Sequence, residues 1–221
     1  LRGKNLFVSG ATGFLAKVLV EKVLWEQPEV GQLYLLVRGG KSSAEARLSD
    51  LLDSPLFDRL RAREDAGYEA FMLGKLRPLD GALGQEDLGL SPDDLRLLRE
   101  EAAIDVVLNS AASTTFNERY DQAVRINTLG ARQMCRLAHQ CGAGLYLQVS
   151  TAFVNGEREG RTSERPFEWN RSIAAEQGRP DAPDLDVFAE IELARTSAER
   201  FAAERPGRGS QAQRPRHGWA S

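Results

Sequence analysis

A glycine-rich turn carries the first chemistry legible in the sequence. Gly10-Ala11-Thr12-Gly13-Phe14-Leu15-Ala16 follows a short apolar run, Asn5 to Ser9, and opens a stretch of helical periodicity. A turn of this kind between strand and helix suits a dinucleotide pyrophosphate. Gly10 would permit the tight turn, and Gly13 would let backbone approach the phosphates. Unpaired N–H groups at the helix start would meet their charge. The third glycine position is Ala16, still small enough for close helix–strand packing. The residues alone leave one alternative, a tight strand–helix turn without a ligand. A nucleoside-triphosphate loop is excluded, because it needs G-x-x-x-x-G-K-[ST]. Here Lys17 stands between Ala16 and Val18, with neither the second glycine nor the magnesium-binding hydroxyl.

The end of the next apolar run discriminates between dinucleotides. Leu33 to Val37 is followed by Arg38, with Lys41 and Arg47 soon after. An acidic residue there would accept from a ribose 2′-OH, whereas an arginine offers a fork for a 2′-phosphate. NADPH is therefore expected over NADH, against the alternative that Arg38 is an exposed strand-end charge. No metal site is expected. Cys135 and Cys141, with His139 and His217, lack zinc-ligand spacing and read as idle thiols in a reducing compartment.

The elements that must position these residues alternate. Asn5–Ser9 and Leu33–Val37 read as buried strands, Ile104–Leu108 as a further apolar strand, and Leu145–Val149 as a strand ending at Ser150-Thr151. Leu15, Val18, Leu19 and Val23 form the apolar stripe of a first helix, broken at Pro28 and Gly31. Ser42-Ser43-Ala44-Glu45 reads as a capping box opening a helix to about Asp53. Residues 56–63 form a helical turn or two, and a strand lies at either Glu69–Leu73 or Leu76–Leu79. Gly81–Gly89 reads as loop, and Ser91-Pro92 starts a helix. Asp121–Gln140 reads as one helix. Alternation of this kind predicts an α/β fold, a doubly wound, Rossmann-like parallel sheet. The pattern decays after Gly156. That places a dinucleotide-binding domain over 1–156 and an excursion with a helix, 186–203, over 157–221. Residues 205–221 carry four arginines without periodicity and are expected to be solvated and mobile.

The chain has 221 residues, 42% hydrophobic and 28% charged, with net charge −3. This is a globular composition with no electrostatic reason to bind nucleic acid. No apolar run approaches transmembrane length. The opening, Leu1-Arg2-Gly3-Lys4, reads as neither signal peptide nor initiator and is expected to continue something longer. Localisation is expected to be cytoplasmic, with peripheral membrane attachment left open.

Several separated segments together resemble the fatty acyl-CoA reductase family, a branch of the extended short-chain dehydrogenases. They are Gly3-Lys4-Asn5 with the glycine turn, Leu35–Arg38, Leu56-Phe57-Asp58-Arg59-Leu60, Asp87-Leu88-Gly89-Leu90-Ser91, Asn109-Ser110-Ala111-Ala112-Ser113, Ile126–Gly130 and Val149–Gly156. The flavour is that of the bacterial alcohol-forming enzymes. The resemblance implies that Thr12 to Leu15 lie on the pyrophosphate and that Arg38 and Arg47 face the 2′-phosphate. Leu83 would lie near the adenine, and Ser110, Ala111 and Ala112 would line the riboses. It also implies that Thr151 is the catalytic hydroxyl on the reacting carbonyl oxygen, with Ser150 beside it on the opposite face. From the residues alone, Thr151 reads as an ordinary β-branched strand residue. Asn127 is expected to be structural.

Two departures stand out. Where the family carries an acidic residue toward adenine, this sequence has Gly81-Ala82-Leu83, which costs an acceptor worth about 1 kcal/mol. The family's Tyr-x-x-x-Lys, whose lysine lowers the tyrosine pKa, is absent, although His217–Ser221 resembles the residues just before it. The chain is therefore expected to stop short of the catalytic acid and to be inactive alone. The implied function is NADPH-dependent reduction of long-chain acyl-CoA, or of an acyl-carrier thioester, to fatty aldehyde and on to alcohol. The alternatives are an aldehyde-only thioester reductase and a non-catalytic NADP-binding sensor or scaffold. A sugar-nucleotide epimerase on the same scaffold is disfavoured by the Leu56–Leu60 and Asp87–Ser91 segments.

Overall fold

The computed structural model describes residues 1–40 and 42–204. The expectations for Lys41 and for 205–221, including the arginine-bearing segment and the His217–Ser221 resemblance, lie outside the described residues.

The chain runs β1 (Asn5–Ser9), α1 (Phe14–Glu26), β2 (Leu33–Val37), α2 (Ala44–Leu52), α3 (Asp58–Glu64), α4 (Tyr68–Lys75), β3 (Leu76–Asp80), α5 (Pro92–Arg96) and β4 (Ile104–Asn109). It continues through α6 (Tyr120–Ala123), α7 (Gly130–Gln140), β5 (Leu145–Gln148), α8 (Ile173–Glu176) and α9 (Val187–Glu204). The strands form one parallel sheet in the order β3-β2-β1-β4-β5. The direction of winding reverses between β1 and β4. In open α/β sheets that switch point is where ligands settle, outside the carboxyl ends of the strands. The fold is the doubly wound, Rossmann-like sheet that the alternation predicts.

Alternation within the strands splits the core between the two sheet faces. Leu6, Val8, Leu33, Leu35 and Val37 pack with Val20, Leu24, Leu48, Phe57 and Leu60 on one side. Phe7, Tyr34 and Leu36 pack with Leu88, Leu98, Met134 and Leu137 on the other. β2 is buried at every position, as expected of a central strand covered on both faces.

Two compact units emerge. Among the described residues, the first comprises 1–115 and 125–149 and contains the whole sheet, and the second comprises 116–124 and 150–204. In the second, α6 and α9 are joined by the Tyr120 hydroxyl, which donates to Glu190 Oε2 at 2.6 Å. Arg119 forks onto Asp121 and stacks 4.2 Å above the Phe201 ring.

Three local expectations shift, and one open choice is resolved. The buried stripe of α1 is Ala16, Val20, Glu21 and Leu24, while Leu15 and Val18 are exposed. Apolar residues surround most of this helix, so their spacing could not fix its rotation, and Ala16 marks the side that faces the core. The buried Glu21 carboxylate is held by Arg59, with Nη2 at 2.8 Å from Oε2. That pair, with Phe57 and Leu60 fully buried, gives the Leu56–Leu60 segment a structural role. The cap of α2 is Ser43, not Ser42: its Oγ accepts from Ala46 N–H at 3.2 Å, so the reciprocal glutamate of a capping box is out of register. Residues 69–73 belong to α4, and β3 takes the later of the two candidate positions. The helix expected over 121–140 is interrupted by a π turn over Val124–Leu129. Within that turn Asn127 Oδ1 accepts from Ser113 N–H at 2.8 Å, and its Nδ2 donates to Ser113 O at 3.0 Å. Asn127 thus ties down the loop after β4.

Candidate functional site

The first unit builds a cradle at the switch point. Gly10 has φ +77°, and a Cβ there would sit 2.9 Å from Ala111 N and 3.0 Å from Ser110 C. The turn after β1 therefore touches the loop after β4, backbone to backbone. Glycine is required at this position for both its torsion and its lack of a side chain. Gly13 N–H donates to Gly10 O at 2.8 Å and closes the turn. Gly13 is also the N-cap of α1, where no side chain caps the helix and no acid occupies the first turn. The leading N–H groups of α1 thus lack intrahelical partners, and the helix end carries partial positive charge. Thr12, Phe14 and Leu15 are exposed around it, Phe14 at 85%.

A polar chain that sequence reasoning missed fixes the distance across this cradle. Ser9 is fully buried at the end of β1. Its Oγ accepts from Ser110 N–H at 3.2 Å and Ala111 N–H at 3.1 Å, and donates to Asn109 Oδ1 at 2.5 Å. Asn109 Nδ2 donates to Gln148 Oε1 at 2.9 Å, beside the Tyr146 hydroxyl at 2.6 Å. The ends of β1, β4 and β5 are thereby linked in one row. The polar ends of two otherwise apolar strands were the available signal: a buried Ser or Asn there must find partners.

The basic side of the cradle follows β2. Arg38 is exposed just past the strand. Arg47, on the first turns of α2, is half-buried, and its Nε is buried without a hydrogen-bond partner among the described residues. Its guanidinium lies 3.9 Å from where a Gly40 Cβ would be. Asp80, at the end of β3, accepts from Gly39 N–H at 2.7 Å and leaves no room for a side chain at 39. Leu83 is a core residue, its side chain packed where a Gly130 Cβ would stand, so its side chain is directed into protein. Ala112 is exposed, and Ser110 and Ala111 are half-buried. The orphaned Arg47 nitrogen, the Gly10–Ala111 approach and the uncapped α1 start fit the phosphates of a dinucleotide.

Thr151 and Ser150 belong to the second unit and are exposed. Thr151 is the N-cap of a 3₁₀ turn over Ala152–Asn155. Its Oγ1 accepts from Phe153 N–H at 3.2 Å. The cap uses a lone pair and leaves the hydroxyl proton for another acceptor. Phe153 and Phe116, both exposed, meet edge to face at 5.5 Å in this unit. Tyr120 is no surrogate acid: burial, then its bond to Glu190, pushes its pKa up to about 12. Cys141 is likewise pushed up by burial, to about 11, and stays a thiol at neutral pH. Among the described residues no group of three or more His, Cys, Asp or Glu is arranged to hold a metal, and no helix is long and apolar enough to cross a membrane.

Comparison with known proteins decides the family. A model for NAD-binding domains, described as male sterility protein, matches residues 8–205. The chain belongs to this family, that of the fatty acyl-CoA reductases. It is 45% identical to the chloroplastic fatty acyl-CoA reductase 2 of Arabidopsis thaliana over 206 residues, 90% of this chain and 33% of that protein. It is 38% identical to the alcohol-forming fatty acyl-CoA reductase of Simmondsia chinensis over 198 residues, 87% of this chain and 38% of that one. The chain thus spans about a third of the length of the curated relatives it matches. Among solved structures, the terminal R domain of the myxalamid PKS-NRPS pathway aligns with TM-score 0.56 at 26% identity, covering 92% of this chain and 46% of that one.

Proposed function

We propose that the whole protein reduces long-chain fatty acyl thioesters with NADPH, to the aldehyde and on to the alcohol. The observation that carries the reading is the cradle at the switch point. There Gly10 lies against Ala111 and α1 starts uncapped, and Arg47, past β2, carries a buried nitrogen without a hydrogen-bond partner among the described residues. Family membership and the relatives' names supply the thioester.

The bound dinucleotide would supply hydride to the carbonyl carbon. The chain's own residues do the rest. The α1 N–H groups and Gly13 hold the pyrophosphate. Arg38 and Arg47 meet the 2′-phosphate with planar, always-charged groups. Ser110 to Ala112, held by Ser9, flank the riboses. The Thr151 hydroxyl donates its remaining proton in a hydrogen bond to the carbonyl oxygen as negative charge develops there. Ser150 stands beside it. In a parallel-strand exit of this kind, alternation gives one of the two the inward face.

The test is steady-state oxidation of NADPH by the full-length protein with a long-chain acyl-CoA, with products identified by gas chromatography. Aldehyde or alcohol formed at the expense of NADPH supports the reading, and cofactor binding with no thioester consumed would sink it. For the cofactor choice, Arg47→Ala should weaken NADPH binding about tenfold, the value of one charge-assisted contact, and leave NADH binding unchanged. Equal affinity of the parent protein for NADH and NADPH would remove the 2′-phosphate argument.

A further inference from the structure

The second unit contains a cavity of about 710 Å³ that nothing above uses. It lies along residues 157–168 and the end of α8, and its wall carries four arginines, Arg158, Arg161, Arg165 and Arg179, and four glutamates, Glu157, Glu159, Glu168 and Glu176. Two of the arginines are already engaged. Arg158 meets Glu176 at 3.4 Å, and Arg179 meets Glu157 at 3.2 Å. Glu168 and Glu176 are further occupied by Arg171. The guanidinium groups of Arg161 and Arg165 make no ion pair among the described residues, and the hydroxyls of Thr162 and Ser163 lie between them in the chain. An unpaired pair of guanidinium forks with adjacent hydroxyls is the donor set that phosphate oxygens take.

The cavity wall is tied to the turn that Thr151 caps. Gly156 has φ +61°, and a Cβ there would fall 2.2 Å from Gln177 Nε2 and 2.7 Å from Ile173 Cγ2, so α8 lies directly on the chain leaving that turn. Gln177 Nε2 donates to Asn155 O at 3.4 Å, and Arg158 Nη2 donates to Glu176 O at 2.8 Å. The candidate reacting hydroxyl and the arginine-lined cavity therefore share one local scaffold.

We propose that this cavity holds the phosphorylated end of the thioester's carrier, with Arg161 and Arg165 on a phosphate group. The proposal rests on the thioester-reductase reading above and names the other end of its substrate. An acyl chain offers nothing for guanidinium groups to bind. The thiol carriers of acyl groups end in phosphate esters, and a cavity of this volume is within the range that accommodates a nucleotide-sized handle. Two sources share this chemistry, the nucleotide phosphates of coenzyme A and the single phosphate of a phosphopantetheine arm.

The experiment is isothermal titration of the full-length protein with free coenzyme A and, separately, with NADPH, for the parent and for Arg161→Ala/Arg165→Ala. The expected result is coenzyme A binding weakened about tenfold or more, with NADPH binding unchanged. Arg161→Lys/Arg165→Lys, which keeps the charge and loses the fork, should fall between. In turnover, KM for acyl-CoA should rise in the alanine variant, and KM for the phosphate-free N-acetylcysteamine thioester should not. Loss of the effect when 4′-phosphopantetheine replaces coenzyme A would assign the site to the nucleotide phosphates, and its retention would assign it to the pantetheine phosphate. Coenzyme A binding equal in parent and alanine variant would overturn the proposal. A protein that reduces no thioester would instead overturn the reading beneath it, and the two failures are told apart because the titration needs no turnover.

Discussion

The turn after β1 and the turn after β5 are built in opposite ways. The first is made of backbone. Gly10 touches Ser110 and Ala111, Gly13 opens α1 without a side-chain cap, and the buried Ser9 holds the facing loop through two N–H bonds. The second is made of exposed side chains. Thr151 offers a hydroxyl proton from a cap, and Arg161 and Arg165 line a cavity without an ion pair among the described residues. A backbone site binds what every dinucleotide shares and tolerates little change. A side-chain site selects, and its residues can be replaced one at a time without disturbing the sheet.

The contrast is sharpened most by Gly10→Ala. The torsion alone should cost about 1–3 kcal/mol, and the methyl would enter the Ala111 backbone. NADPH binding should be abolished and the melting temperature should fall, as read by cofactor fluorescence and a thermal scan. A variant that still binds NADPH would mean that the Gly10–Ala111 approach is not the cofactor cradle. Next comes Ser9→Ala, which strips partners from Ser110 and Ala111 N–H and from Asn109. A loss of about 1–3 kcal/mol in urea denaturation is expected, the cost of buried unsatisfied polar groups. Ser9→Thr, which keeps the hydroxyl, should recover most of it. A neutral Ser9→Ala would leave the row from β1 to β5 without energetic content.

The smallest effect is expected at the opposite end of the sheet from the Gly10 turn. Asp105 bonds Lys4 Nζ at 2.7 Å and Asn5 N–H at 2.9 Å, which holds its carboxyl pKa below the usual value, with the lysine bond the larger cause. A depressed folded pKa adds stability above the unfolded value that is lost as pH falls through the folded one. Asp105→Asn should therefore cost about 0.2–1 kcal/mol near neutrality and nothing once the parent carboxyl is protonated. The stability difference between the two proteins, followed from pH 7 downward, checks this. A difference that persists unchanged in acid would contradict it.

The same contrast explains what the sequence made legible. Glycine spacing and uninterrupted apolar runs report backbone constraints, so the doubly wound sheet and the Gly10–Gly13 turn are legible in the sequence, whereas the strand order that creates the switch point is not. Leu33 to Val37 had to be central because every residue is apolar. Features that depend on side chains meeting across distant segments could not be read. Ser9 finds Ser110 and Ala111 about a hundred positions away, and Glu21 finds Arg59. The rotation of α1 was hidden because its apolar residues nearly encircle it. The π turn at Val124–Leu129 was hidden because Asn127, which binds Ser113, looks like any polar helix residue. Thr151 was named through the family resemblance, since a threonine ending a strand has no distinctive spacing. Arg161 and Arg165 lay in a stretch whose composition reads only as solvated surface.

The central claim, that the Thr151 hydroxyl acts on the carbonyl of a thioester, is tested most directly by single-turnover reduction of a long-chain acyl-CoA. Full-length Thr151→Ala, saturated with NADPH, is compared with the parent protein. The account predicts a rate reduced about a hundredfold, the cost of one oxyanion donor, with NADPH affinity unchanged and Thr151→Ser close to the parent. A Thr151→Ala protein that reduces the thioester at the parental rate would contradict it.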